Sequence, residues 1–180
     1  MAAGELPPSF MEDFAEGLVA VHEHLILPSD MRVPLPAGYA DAGWEGFLHG
    51  DLGLRNVCLS MDDRRVVLLD WQATVKLGVA ATYGSRYFDL AWFVYNLFYR
   101  PLGRERYKTR LPPAGLADRF VRRYIRTAER AGGEPEFAAY MLRFLTQKLS
   151  QRQERLQLKR RLMLIPSHVK LRRFIGSFHA

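Results

Sequence analysis

Three oxygen-bearing side chains near the middle of the chain have the types and the spacing of a catalytic and metal-binding site. Asp51 and Asn56 lie in the segment 49–56, which reads HGDLGLRN, and Asp70 follows the apolar run 66–69. A carboxylate at position 51 can accept a proton from a substrate hydroxyl, or orient that hydroxyl. An amide oxygen and a second carboxylate suit a hard cation such as Mg²⁺, which usually takes one or two carboxylates together with substrate phosphates.

The residues between these side chains predict the element that positions them. Residues 57–61 have the pattern of a strand, 62–65 of a turn, and 66–69 of a returning strand that is buried. Asp70 is then expected to emerge at a strand end. Each of the three polar residues alone has a simpler explanation, because Asp and Asn are common in turns and at strand ends. The three together, at this spacing, favour a site.

The motifs resemble the catalytic and metal-binding loops of the protein-kinase-like superfamily, most closely its aminoglycoside and choline phosphotransferase branch. Kinases carry H-R-D-x-x-x-x-N and D-F-G motifs, where this chain has HGDLGLRN and Asp-Trp-Gln at 70–72. The segment 87–91, YFDLA, is similar to the branch's Asp-Leu-Ala at the start of a central buried helix. Gly50 is usual in the small-molecule branch, whereas an acidic residue is commoner there than Gln72.

The resemblance implies a role for each matching residue. Asp51 is the catalytic base, with His49 in the same catalytic motif, and Asn56 and Asp70 hold Mg²⁺. Asp89 supports the catalytic loop. The implied reaction is the ATP- and Mg²⁺-dependent transfer of a phosphoryl group to a hydroxyl, as in small-molecule or lipopolysaccharide-type kinases. The sequence leaves the acceptor open among an antibiotic, a sugar, a choline-like alcohol, a lipid and a protein.

Asp89 and two cationic residues extend this predicted site. Asp89 opens an apolar helix, where an unpaired carboxylate costs several kcal/mol. We therefore expect it to accept hydrogen bonds from the backbone of 49–51 or from His49. Lys76 and Arg86 lie in or beside the stretch 73–85, which is rich in small residues, and are candidate phosphate or substrate contacts. Solvated loop charges are the alternative explanation for both cations.

The whole pattern predicts a single, mostly helical α+β domain over 1–180, namely a kinase-like C-terminal lobe with one small hairpin sheet. The predicted segments are a leading amphipathic helix (9–27), the catalytic and metal loops (46–72), a buried central helix (87–99), C-terminal helices (116–165) and a basic tail (166–180). Ser9 is expected to open a capping box, and Pro166 to break the last helix. His22 and His24 are interpreted as ordinary surface or partly buried residues.

Features that precede the catalytic loop in a complete kinase are missing from this sequence. No Gly-rich phosphate loop lies before His49, and the first lysine is Lys76, so the phosphate-binding strand lysine has no candidate. We expect a truncated or partner-completed form that is not a competent kinase alone. The apolar face that an N-terminal lobe would cover is expected to bind a protein partner or a second copy. A fragment, a partner-supplied lobe and a domain that has lost catalysis stay open as alternatives.

Composition narrows the class of protein. A single cysteine, Cys58, excludes a disulfide framework and favours a cytoplasmic location. No apolar run reaches the roughly 20 residues of a membrane span. The net charge of +7 owes much to the C-terminal third. A solvated helix face is favoured over a surface for nucleic acid or anionic lipid, because no base-stacking aromatics accompany the charge. The alternative function is a non-catalytic kinase-like module that binds a partner or polyanion through these basic helices.

Overall fold

The computed structural model describes residues 4–40, 43–60, 65–71, 81–99, 107–108, 111–153 and 158–178. These residues form a mostly helical α+β fold, as predicted. The helices are α1 (Phe10–His24), α2 (Tyr87–Tyr99), α3 (Pro113–Thr127), α4 (Gly133–Gln153) and α5 (Leu158–Gly176). The strands are β1 (Gly4–Glu5), β2 (Glu45–Phe47), β3 (Val57–Leu59), β4 (Val66–Leu68), β5 (Tyr83–Ser85) and β6 (Tyr107–Lys108). Within the described ranges, no helix combines the length and apolar character needed to cross a bilayer.

The described strands pair two by two. β1 pairs in parallel with β6, β2 pairs antiparallel with β5, and β3 pairs antiparallel with β4. The predicted hairpin is therefore confirmed, with Val57 opposite Leu68 and Cys58 opposite Val67. The turn of this hairpin, 61–64, lies outside the described residues.

The predicted burial of the returning strand is wrong. Val66 and Leu68 pack against the core, whereas Val67 and Leu69 are 41% and 44% exposed. Successive side chains of a strand point to opposite faces, so only every second one reaches α1. The other face of this two-stranded hairpin is open to solvent.

Helix α2 is the centre of the core. It covers the predicted range 87–99, and every side chain except Asn96 is buried. A helix that is apolar all round has to be enclosed on all sides, and α3, α4 and α5 pack around α2. The rings of Phe14, Phe93 and Phe120 join α1, α2 and α3, with centroid separations of 4.5 to 5.1 Å.

The start of the leading helix differs from the prediction. Helix α1 spans Phe10–His24 rather than 9–27, and the backbone of Ser9 is already helical. The Ser9 hydroxyl lies 2.9 Å from Asp13 Oδ2 and donates to it, so it caps no backbone N–H of the helix. The predicted capping box is therefore wrong.

The C-terminal helices also correct the prediction. Helix α3 begins at Pro113, ahead of the predicted 116, and Pro166 lies inside α5. The region 166–180 is therefore not a tail, because α5 continues to Gly176. Beyond the proline, Leu171, Phe174 and Ile175 are buried against the core. This packing offsets the backbone hydrogen bond that proline cannot make.

Candidate functional site

The loop between β2 and β3 carries the predicted catalytic motif, and its backbone is hydrogen-bonded to the carboxylate of Asp89. Asp89, in the first turn of α2, is fully buried. Its Oδ2 accepts from the backbone N–H of His49 at 2.7 Å, and its Oδ1 accepts from that of Gly50 at 2.9 Å. These are hydrogen bonds of the kind predicted for Asp89. Gly50 has φ 81°, a left-handed conformation that glycine adopts without steric cost.

A second buried side chain reaches Asp89, and sequence analysis missed it. His22 is 3% exposed, so its interpretation as a surface or partly buried residue is wrong. Its Nε2 lies 3.1 Å from Asp89 Oδ2, and its Nδ1 lies 2.6 Å from the Tyr124 hydroxyl oxygen. Burial is the main cause that raises the pKa of Tyr124, so the phenol keeps its proton. The available signal was the position of His22, four residues after Leu18 on the apolar stripe of α1.

Among the described residues, two different side chains donate hydrogen bonds to the Asp51 carboxylate. Trp92 of α2 donates its indole Nε1–H to Asp51 Oδ1 at 2.9 Å. Arg55, which lies in the 3₁₀ turn after the motif and has a 46% exposed side chain, donates to Asp51 Oδ2. One oxygen therefore faces the core and the other an exposed guanidinium. Sequence analysis places Trp92 only within the buried central helix and gives Arg55 no role.

Asn56 is buried and is anchored within the same loop. Its Nδ2 donates to the carbonyl oxygen of Asp51 at 2.8 Å. An amide that donates through its nitrogen keeps its oxygen as the acceptor, which is the atom a cation would use. The side chain is thus fixed beside the predicted catalytic base.

The segment that carries Asp70 is tied to the catalytic loop in two ways. The backbone N–H of Leu69 donates to the Asn56 carbonyl at 2.8 Å, which extends the hairpin pairing by one residue. His49 Nε2 lies 3.0 Å from the Leu69 carbonyl oxygen, and its ring lies 4.9 Å from that of Trp71. Because a carbonyl only accepts, His49 carries its proton on Nε2. Asp70 itself is exposed, with a left-handed φ of 59°.

The oxygen donors of Asn56 and Asp70 are of a kind that fits a magnesium ion shared with a phosphate-bearing substrate. An amide oxygen and a carboxylate are both ligands that Mg²⁺ accepts. Across the described residues, no cluster of three or more His, Cys, Asp or Glu side chains forms a self-sufficient metal site. Mg²⁺ commonly completes its coordination with water and substrate phosphate, so a small protein ligand set is compatible with it.

Of the two predicted phosphate contacts, Arg86 lies among the described residues. The Arg86 guanidinium lies over the ring of Trp44, 5.5 Å from its centroid, and the Arg86 backbone N–H donates to the Trp44 carbonyl. Within the described part of the chain, its side chain contacts Trp44 and the Tyr124 hydroxyl rather than Asp51. Lys76 lies outside the described residues, as does Gln72. Among the described residues, the cationic side chain that contacts the Asp51 carboxylate is Arg55.

An open cleft of about 400 Å³ lies between α1 and β4, next to the segment of Asp70. Gly17 and Val21 line it on the helix side, and Val66, Leu68 and Trp71 on the hairpin side. Apolar walls of this kind suit a flat, apolar ligand group or a packed protein segment.

Comparison with known proteins identifies the family. The chain belongs to the phosphotransferase enzyme family, whose model matches residues 12–140. The matched range contains the loop of Asp51, the hairpin, Asp89 and most of α1, and it runs into α4. The family predicted from the motifs is therefore confirmed. No curated protein and no solved structure matched the chain.

Proposed function

We propose that this chain is the catalytic part of an ATP- and Mg²⁺-dependent phosphotransferase that acts on a hydroxyl. The observation that carries the proposal is the Asp51 carboxylate, held by Trp92 on a loop whose backbone is bound to buried Asp89. Membership of a phosphotransferase family supports the reaction class. The fold is assigned, within the same proposal, to a kinase-like C-terminal lobe.

Asp51 acts in this proposal on the acceptor hydroxyl. The hydroxyl hydrogen-bonds to Asp51 Oδ2 in place of Arg55, whose exposed side chain is able to swing away. Asp51 Oδ1 stays bound to Trp92 and keeps the carboxylate in place. Catalysis of phosphoryl transfer rests largely on such positioning, together with electrostatic stabilisation.

Asn56 and Asp70 would hold Mg²⁺ beside this acceptor position. When bound, the ion neutralises charge on the phosphate oxygens. The chain supplies the amide oxygen from the buried loop and the carboxylate from the exposed end of β4. This sequence has no candidate before His49 for the Gly-rich loop and strand lysine that complete a kinase nucleotide site. The acceptor is a small molecule or a lipopolysaccharide-type substrate.

Titration of the chain with Mg-ATP, followed by amide NMR shifts, tests this proposal. We expect a dissociation constant near millimolar, equivalent to about 4 kcal/mol of binding, and shifts centred on 51–56 and 69–71. Without Mg²⁺ the binding should weaken further. Asp70→Asn should abolish that dependence on Mg²⁺, whereas Asp51→Asn should leave the affinity nearly unchanged, because Asp51 faces the acceptor.

Two results would overturn the proposal. One is binding of ATP that is equally strong with and without Mg²⁺. The other is a set of shifts confined to residues away from the ends of the hairpin. Equal loss of affinity in Asp51→Asn and Asp70→Asn would contradict the separate roles given to the two carboxylates.

A further inference from the structure

A buried chain of three side chains stands behind the catalytic loop, and each comes from a different helix. Tyr124 of α3 contacts His22 of α1, and His22 contacts Asp89 of α2. The side chains of His22 and Asp89 have no exposed surface at all. The chain ends at two backbone N–H groups of the loop, those of His49 and Gly50.

The chemistry of the three groups fixes where the protons lie. A carboxylate only accepts hydrogen bonds, so the contact at 3.1 Å requires a proton on His22 Nε2. The Tyr124 hydroxyl lies 2.6 Å from His22 Nδ1 and keeps its own proton in this buried position, so it can donate to the bare nitrogen. The network therefore places a hydrogen on His22 Nε2 and leaves Nδ1 to accept from Tyr124.

The Oδ2 atom of Asp89 serves two donors at once. It accepts a hydrogen bond from the His49 backbone N–H at 2.7 Å and another from His22 Nε2 at 3.1 Å. The Gly50 backbone N–H donates to the other oxygen, Oδ1. Without the imidazole, this oxygen would be buried with one donor fewer, and the carboxylate could rotate about its Cβ–Cγ bond. Rotation would break the paired arrangement with the two loop amides.

We propose that His22 is a positioning residue for the catalytic loop, and that it acts by locking the Asp89 carboxylate in the orientation that binds His49 and Gly50. Tyr124 in turn holds the imidazole in the tautomer that donates to Asp89. The catalytic meaning of this role rests on the proposed function of Asp51. The positioning itself does not, because it concerns hydrogen bonds present without nucleotide.

A matched pair of variants separates the two contacts of His22. In His22→Gln the amide nitrogen reaches the place of the imidazole Nε2 and can still donate to Asp89. In His22→Asn the shorter amide reaches only the place of Nδ1, so Tyr124 keeps a partner and Asp89 loses one. Both variants carry a neutral amide, so they differ chiefly in reach.

Amide hydrogen exchange of the nucleotide-free chain measures directly how well the backbone N–H groups of the loop are protected by their hydrogen bonds. In His22→Asn we expect the amides of His49 and Gly50 to exchange roughly tenfold faster than in the wild type, the scale for a lost hydrogen bond to a charged group. In His22→Gln their exchange should stay close to the wild-type rate. The Leu69 amide, which is bonded to the Asn56 carbonyl, serves as the internal reference.

The proposal fails if His49 and Gly50 stay equally protected in His22→Asn, or if exchange rises uniformly along the chain in both variants. A second measurement uses the wild-type chain. The ¹⁵N chemical shifts of the His22 ring should show a hydrogen on Nε2 and none on Nδ1. A ring without a hydrogen on Nε2 would overturn the proposal. Since neither experiment uses ATP, a failed nucleotide titration and a failed positioning role are distinguishable.

Discussion

At the scale of single residues, the two oxygens of Asp51 differ in how firmly they are held. Oδ1 is bound by the indole of Trp92, which is almost fully buried, while Oδ2 is bound by the exposed Arg55. A hydrogen bond from a buried donor to a charged acceptor contributes more than an exposed one, because water competes only for the second. Trp92 is therefore expected to fix the orientation of the carboxylate.

This argument predicts the result of removing the indole N–H. Trp92→Phe should lower the free energy of unfolding by about 2 kcal/mol, since it removes a buried hydrogen bond to a charged group. Trp71→Phe is the matched control, because its indole donates to the Leu68 carbonyl at an exposed position and should cost less than about 1 kcal/mol. Urea titrations followed by far-ultraviolet circular dichroism provide the comparison. Equal losses in the two variants would contradict the buried role of Trp92.

The sequence identified the residues of the motif and Asp89, which supports their loop, but not the other supporting residues. Asp51, Asn56 and Asp89 stand at recognisable spacings, whereas Trp92 belongs to a helix that is apolar on every side. Such a helix has no polar face from which its rotation could be derived, so the direction of the Trp92 N–H toward the loop is fixed only by tertiary packing. His22 was missed for a related reason, because its partner lies 67 residues further along the chain.

At the scale of elements, local patterns were most reliable where burial is uniform. Helix α2 occupies the predicted range because nearly all its side chains are buried, whereas the hairpin has one covered and one open face. The run 66–69 was therefore predicted as wholly buried although only alternate residues face the core. Pro166 was expected to end a helix, yet the residues that follow it have a large apolar surface to bury.

The proline inside α5 gives the element-scale prediction. Pro166→Ala restores a backbone donor and removes the ring from the helix interior, where proline costs about 3 kcal/mol. The unfolded chain is more flexible with alanine than with proline, and this reduces the gain in unfolding free energy by about 0.4–1 kcal/mol. We expect a net gain in unfolding free energy of about 2–2.6 kcal/mol, measured as a shift of the urea midpoint.

Pro113 provides the control for this substitution. It is the first residue of α3, where proline is favourable because its missing N–H would have no partner within the helix. Pro113→Ala should therefore leave stability unchanged or reduce it by up to about 1 kcal/mol. A gain of the same size in both variants would show that the effect of Pro166 does not arise from its place inside a helix.

At the scale of the whole molecule, arginines of α3 form ion pairs with the neighbouring helices. Helix α3 pairs with carboxylates of α1 and α4, through Arg123 with Glu16 and Arg122 with Glu134. Pairs of this kind on a surface contribute little stability individually, but they neutralise the arginines concerned. The alternative of a polyanion-binding module therefore gains no support from α3.

The face of the hairpin that points away from the core exposes apolar side chains. Val67 and Leu69 are 41% and 44% exposed and stand at alternate positions in and after β4, beside the cleft that Trp71 lines. Single exposed apolar residues are ordinary on a protein surface, whereas contiguous ones mark an interaction site. This exposure favours a covering segment on this face.

We predict that, in the absence of such a segment, the chain covers this face with a second copy of itself. Sedimentation velocity should show a weak dimer, with a dissociation constant of roughly 0.1–1 mM, or about 4–5.5 kcal/mol. The double change of Val67→Ser and Leu69→Ser should make the chain monomeric at the same concentrations. Ile165→Ser with Val169→Ser is the matched control, because those residues are also exposed but lie on α5. A chain that stays monomeric throughout, or a dimer that survives the hairpin variant and dissociates in the α5 variant, would place the interacting surface elsewhere.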